Sequence, residues 1–101
     1  MKVLKFTVNE EYYKRFKAIC DTEGVTVKKK LNILISQDTS PEDLKSYFPE
    51  DYLLTPKRLT LKVNEELYKG VMKQCGKYDF RVRVYMPYLI YKFLGNQSAN
   101  Q

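Results

Sequence analysis

Hydrophobic and polar residues alternate strictly at two places in the chain. Leu4, Phe6 and Val8 are separated by Lys5 and Thr7, and Leu59, Leu61 and Val63 by Thr60 and Lys62, with Arg58 ahead of them. A period of two marks a strand with one buried face, so two short strands are predicted. Behind each strand the period changes. Asn9 and Asn64 stand where a helix N-cap belongs, followed by Glu10-Glu11 and Glu65-Glu66, whose charges suit the positive end of a helix dipole. In the first helix Tyr12, Phe16, Ile19 and Cys20 form an apolar stripe and Gly24 supplies a left-handed end. Its counterpart has Leu67, Val71, Met72 and Cys75, ending at Gly76. A second helix follows each, with Val27, Leu31, Leu34 and Ile35 against Val82, Met86, Leu89 and Ile90, the latter continuing to Phe93 and Leu94 before Gly95.

The parallel is a repeat in the sequence itself. Shifted by 55 residues, positions 4–36 meet identical residues at eleven of thirty-three places, among them Asn9-Glu10-Glu11 on Asn64-Glu65-Glu66, Cys20 on Cys75, and Leu34-Ile35 on Leu89-Ile90. Unrelated sequences would share about two. The chain therefore divides into a first repeat at 3–36, an acidic linker at 37–57, a second repeat at 58–94 and a polar tail at 95–101, within one domain over 1–101. The linker carries Pro41, Pro49 and Pro56, and its Ser40-Pro41-Glu42-Asp43 run is placed to cap one short helix.

A lone short strand leaves its backbone donors and acceptors unpaired, so the two strands are expected to pair with each other. If the copies are related by a pseudo-twofold axis, the strands run antiparallel, and the fold is mainly α, β-α-α-linker-β-α-α, with one sheet face on four helices. The other face presents Val3, Lys5, Thr7, Arg58, Thr60 and Lys62 to solvent. A two-stranded ribbon fits the major groove of DNA, and lysine, arginine and threonine can donate to guanine O6 and N7 or pack a methyl against thymine.

Charge sharpens this picture. The net charge is +6, and residues 37–57 hold five acids against two bases, −3, leaving +9 on the rest of the chain. Such a surface attracts polyanions through phosphate neutralisation; the plainer meaning is surplus lysine for solubility. The chain has no histidine, which removes the commonest general base, so an enzyme is not expected. Two cysteines without histidine cannot complete a four-ligand zinc site without carboxylates, so structural zinc is not expected, and Cys20 and Cys75 are expected as core residues. No apolar run is long enough for a membrane span, and a cytoplasmic protein is expected. Most of the nine tyrosines fall on helix stripes or in the linker and are read as core and interface.

Strand, Asn-Glu-Glu cap, helix, glycine turn and helix, found twice at one register, closely resemble the ribbon-helix-helix DNA-binding transcription regulators in a tandem, single-chain form. The resemblance covers about residues 3–36 and 58–94. The linked form is similar to small regulators of viruses of hyperthermophilic archaea, which implies the host cell as its location. It also implies double-stranded DNA as partner, ribbon residues on bases and second-helix N-termini on phosphates. Lys28, Lys29 and Lys30 in the first turn of such a helix oppose its dipole, at about 0.3–1 kcal/mol each, and a phosphate held there with Thr26 reverses the sign. Arg81 and Arg83 occupy the matching site of the second copy, where Pro87 departs from the pattern and either kinks the helix or delays its start to near Arg83. No cofactor, small-molecule ligand or membrane is implied. One ribbon covers few base pairs, so self-association on adjacent sites is expected, through Phe93, Leu94 and the linker aromatics. The alternatives are a protein-interaction module, such as an inhibitor of a host factor, and an antitoxin-type autorepressor. The latter is disfavoured by the short GNQSANQ end, which leaves no long tail for a toxin.

Overall fold

The computed structural model describes residues 2–37, 44–77 and 81–99. β1 (Lys2–Asn9) and β2 (Pro56–Val63) pair antiparallel as the strands of one sheet, with Leu4 opposite Leu61, Lys5 opposite Thr60 and Phe6 opposite Leu59. Lys5 and Thr60 are equivalent under the 55-residue shift, so the register is centred on that pair. Because side chains alternate across a strand, the centring places Leu4, Phe6, Val8, Leu61 and Val63 in the core and the intervening side chains in water.

α1 (Glu10–Glu23) begins at Asn9, whose side-chain oxygen accepts from the N–H groups of Glu11 at 2.9 Å and Tyr12 at 3.3 Å. The same buried side chain donates through its amide nitrogen to the carbonyls of Asp51 at 2.8 Å and Leu54 at 2.7 Å, fastening the linker to the helix end. α1 ends at Gly24, which is left-handed at φ 73°; its N–H and that of Val25 donate back to the carbonyls of Asp21 and Cys20. α2 (Val27–Gln37) follows, and a 3-10 turn at Leu44–Tyr47 lies in the linker. The expected cap at Ser40–Asp43 lies outside the described residues. α3 (Glu65–Lys77) starts from Asn64, exposed, whose side chain accepts from Leu67 N–H at 2.7 Å. α3 closes at Lys77, one residue past Gly76, which is not left-handed as Gly24 is, and Met72 is exposed instead of joining the buried stripe. α4 (Val82–Ala99) starts just ahead of Arg83, keeps Pro87 inside it and runs through Gly95, so that it takes in much of the expected polar tail.

The expected tandem ribbon-helix-helix fold with pseudo-twofold symmetry does not form as a whole. The order β-α-α-β-α-α fits a tandem βαα arrangement, but the two second helices do different jobs. α4 packs on β1, on the 3-10 turn and on α1, α2 and α3, whereas α2 packs chiefly on α1 and α4. Where symmetry would press α2 against α3 there is instead a groove of about 480 Å³, lined by Asn32, Ile35 and Ser36 on one side and Leu67, Gly70 and Gln74 on the other. The Asn32 side-chain oxygen is buried without a hydrogen-bond partner among the described residues.

The cause is in the sequence of α4. Every residue from Val84 to Tyr91 is apolar or aromatic, and Tyr85 to Tyr91 are all buried. A helix apolar on all sides must be surrounded, and each large side chain so buried contributes about 1.5–3 kcal/mol. The equivalent stretch of α2 holds Lys29, Lys30, Asn32 and Ser36, of which Lys29 and Ser36 are exposed. Around α4 the aromatics meet edge to face: Tyr91 with Tyr12 at 5.6 Å and Phe48 at 4.9 Å, Tyr47 with Tyr88 at 5.4 Å, Phe16 with Phe93 at 5.6 Å. Phe93, Leu94 and the linker aromatics foreseen as self-association contacts are therefore largely taken up in this core. Among the described residues, the apolar side chains most open to water are Leu53 and Leu54. Cys20 and Cys75 are buried free thiols, and burial pushes both above the ordinary thiol value.

Candidate nucleic-acid interface

The outward face of the sheet consists of three directly opposed pairs: Val3 with Lys62, Lys5 with Thr60, and Thr7 with Arg58. All six side chains are exposed. Since alternate residues lie about 6.8 Å apart along a strand, the face runs about 14 Å from the first pair to the third, or about four base-pair steps of a duplex. It holds three cations, two hydroxyls and one aliphatic side chain, and none of its residues is an acid. That inventory donates hydrogen bonds strongly, accepts through hydroxyls alone, and offers methyl groups from Val3 and both threonines.

Two lysines at the strand starts are anchored elsewhere. The Lys2 ammonium lies 5.3 Å from the centre of the Tyr68 ring, and Lys57 lies 5.7 Å from that of Tyr13. The 55-residue shift maps Lys2 on Lys57 and Tyr13 on Tyr68, so each copy's lysine covers the other copy's tyrosine. These cation–π contacts tie each strand to the opposite first helix and brace the ribbon from below. Sequence reasoning missed them because the compared window opened at residue 4; extending it by two residues would have found the pair.

The N-terminus of α2 is shaped by Thr26, whose hydroxyl oxygen accepts from Lys29 N–H at 3.1 Å while its carbonyl accepts from Lys30 N–H at 3.0 Å. Lys28 and Lys29 are exposed there. Lys30 is not free in the same way: its ammonium is 2.8 Å from the Glu23 carboxylate and 4.7 Å from the centre of the Phe93 ring. Of the three lysines foreseen for phosphate, it is the one with a structural task.

At α4 the Arg81 carbonyl accepts from both Val84 and Tyr85 N–H at 2.9 Å, which puts Arg81 at the capping position with a side chain that has no acceptor to offer the helix amides. Pro87 further removes the N–H that would close on the Arg83 carbonyl. Arg81 and Arg83 are both exposed, and Arg83 shares a groove of about 660 Å³ with Lys5, Thr7, Arg58 and Thr60, floored by Leu59, Pro87 and Tyr91. The fold thus brings the α4 arginine beside the ribbon, while Thr26, Lys28 and Lys29 line neither this groove nor the one between α2 and α3.

Among the described residues no three of cysteine, aspartate and glutamate converge as a metal site requires, and no helix is long and apolar enough to cross a membrane. No family model, curated protein or solved structure matches this chain.

Proposed function

We propose that this chain is a sequence-specific binder of double-stranded DNA that regulates transcription. The ribbon enters the major groove, where Lys5, Arg58 and Lys62 donate to guanine edges and Val3, Thr7 and Thr60 meet thymine methyls or adenine. The N-termini of α2 and α4, with Thr26, Lys28, Lys29, Arg81 and Arg83, hold phosphates on either side. The observation that carries the reading is the outward face itself: three opposed pairs, every member exposed, none acidic, on the only sheet among the described residues. An ordinary solvated face has no need to exclude acids. The likeness of the repeat unit to ribbon-helix-helix regulators belongs to this proposal and supports it, as does the charge of +9 outside the linker.

The test is titration of an enriched duplex at several salt concentrations with the parent and with Lys5→Ala plus Lys62→Ala. Expected are a steep fall of affinity with salt and a loss of about 5- to 150-fold of site preference in the variant. Binding to duplex that is indifferent to salt, or equal preference in parent and variant, would sink the reading and turn attention to a protein partner.

A further inference from the structure

The two strands present different chemistry at every equivalent position of the outward face. Under the 55-residue shift Val3 corresponds to Arg58, Lys5 to Thr60 and Thr7 to Lys62. Two identical strands paired in this register would show a like pair at the centre and the same pair at both ends. Here the centre is Lys5 with Thr60, one end is Val3 with Lys62 and the other is Thr7 with Arg58. The buried face keeps Leu4 with Leu59 and Val8 with Val63 as identical equivalents, so divergence between the copies is concentrated on the side that faces solvent.

The flanks differ in the same sense. A guanidinium forks and binds guanine O6 and N7 with two parallel bonds, whereas an ammonium acts as a point donor. The Arg58 end has a further guanidinium, Arg83, in the adjoining groove, and Arg81 at the same helix start. The counterpart helix start is furnished with Thr26, Lys28 and Lys29, on a helix that stands away from the ribbon where α4 is drawn beneath it.

We infer that a single molecule reads a non-palindromic duplex element in one fixed orientation, with its arginine end on a guanine-containing step and its Val3–Lys62 end on a step that offers a methyl and one acceptor. This rests on the DNA-binding reading above. A symmetric ribbon made by two identical chains would bind its element equally well in either direction, but this ribbon cannot, because turning it end for end replaces a forked donor by an aliphatic side chain.

The experiment is selection from a random duplex library with the full chain, the enriched element then being cut back to the shortest duplex that holds one molecule by sedimentation. A second protein exchanges the two strand faces: Val3→Arg with Arg58→Val, Lys5→Thr with Thr60→Lys, and Thr7→Lys with Lys62→Thr. All six positions are exposed, and far-UV circular dichroism checks that the exchange leaves the fold intact. The one-molecule element is expected to be asymmetric. The exchanged protein is expected to prefer the element with its central bases inverted between unchanged flanks, by at least about tenfold over the parent element. A palindromic one-molecule element, or an unchanged preference in the exchanged protein, overturns the inference and leaves DNA binding standing. No enrichment from the duplex library overturns the DNA reading, and this inference with it.

Discussion

The phenolic oxygen of Tyr91 accepts a hydrogen bond from the backbone N–H of Asn9 at 3.0 Å, joining the middle of α4 to the point where β1 becomes α1. Asn9 in turn caps α1 and donates to two linker carbonyls, so this contact gathers the first strand, the first helix, the linker and the last helix at one place. The equivalent residue of the second copy, Asn64, is exposed and caps its helix at the surface. The unequal burial of α2 and α4 thus gives two identical sequence motifs different energetic weight.

Replacing the two asparagines should show that difference. Asn9→Ala removes a cap and leaves part-buried carbonyl and N–H groups unpaired at four bonds, which costs about 1.5–3 kcal/mol; Asn64→Ala loses a surface cap, about 0.5–1 kcal/mol. Urea unfolding followed by circular dichroism reads both, and equal losses would contradict the separate roles assigned to the two residues.

Burial at Tyr91 raises its hydroxyl above the ordinary tyrosine value, first through desolvation, with the Asn9 N–H pulling the other way; Tyr12 is raised as well, by burial and then by Asp51. A raised value in the folded state means that the neutral phenol is favoured there. The stability it contributes is intact below the ordinary value of about 10 and is lost as pH climbs through the raised one. The buried thiols Cys20 and Cys75, also raised by burial, act in the same sense from about pH 8.5, so the urea midpoint should begin to decline there, and above about pH 10 it should fall less steeply in Tyr91→Phe than in the parent. That variant should also start about 1–3 kcal/mol lower, because it orphans the Asn9 N–H.

Gly24 and Gly76 both stand at helix ends, α3 closing one residue later at Lys77, but only Gly24 has a left-handed backbone. An added methyl would meet nothing within 4 Å at either position, so backbone conformation alone separates them. Gly24→Ala must hold an L-residue at φ 73°, costing about 1 kcal/mol, while Gly76→Ala, in the last turn of α3, gains up to about 0.5 kcal/mol. Thermal unfolding midpoints should move in opposite directions, by about 4–8 °C per kcal/mol for a domain of this size. Parallel shifts would mean that Gly76 too needs a left-handed backbone.

Local pattern made most elements legible from the chain alone. Period-two alternation located both strands and their exposed faces, and the Asn-Glu-Glu runs located the starts of α1 and α3. What escaped was tertiary preference. Equating Lys29-Lys30-Leu31-Asn32 with Val84-Tyr85-Met86-Pro87 on the strength of Val27, Leu34 and Ile35 hid the fact that the second stretch has no polar side to give to water. Symmetry was inferred from the identities, and the differences decided the packing. The same differences, on the outward face of the ribbon, separate the two ends of the candidate interface. The hold of Asn9 on the linker, beyond the cap its position announces, and the structural task of Lys30 were hidden for another reason: each depends on partners remote in sequence, Asp51 and Leu54 for one and Phe93 for the other.

The lysine run at α2 provides the sharpest division between stability and binding. The side chains of Lys28 and Lys29 project from the first turn, exposed and with no side-chain partner among the described residues, so Lys28→Ala and Lys29→Ala should leave the unfolding midpoint nearly unchanged. Each should weaken duplex binding uniformly across sequences and lower the slope of log affinity against log salt by about 0.9. Lys30 is clamped between Glu23 and the Phe93 ring, and its side chain is only 14% exposed. Lys30→Ala should therefore cost about 1 kcal/mol of stability, chiefly the lost ring contact and packing, and leave the salt slope of the folded protein as it was. Calorimetric unfolding paired with salt titration of one fixed duplex measures both quantities for all three variants. If Lys30→Ala lowers the slope as much as its neighbours do, its ammonium leaves Glu23 for a phosphate on binding, and the clamp is a resting contact that DNA displaces.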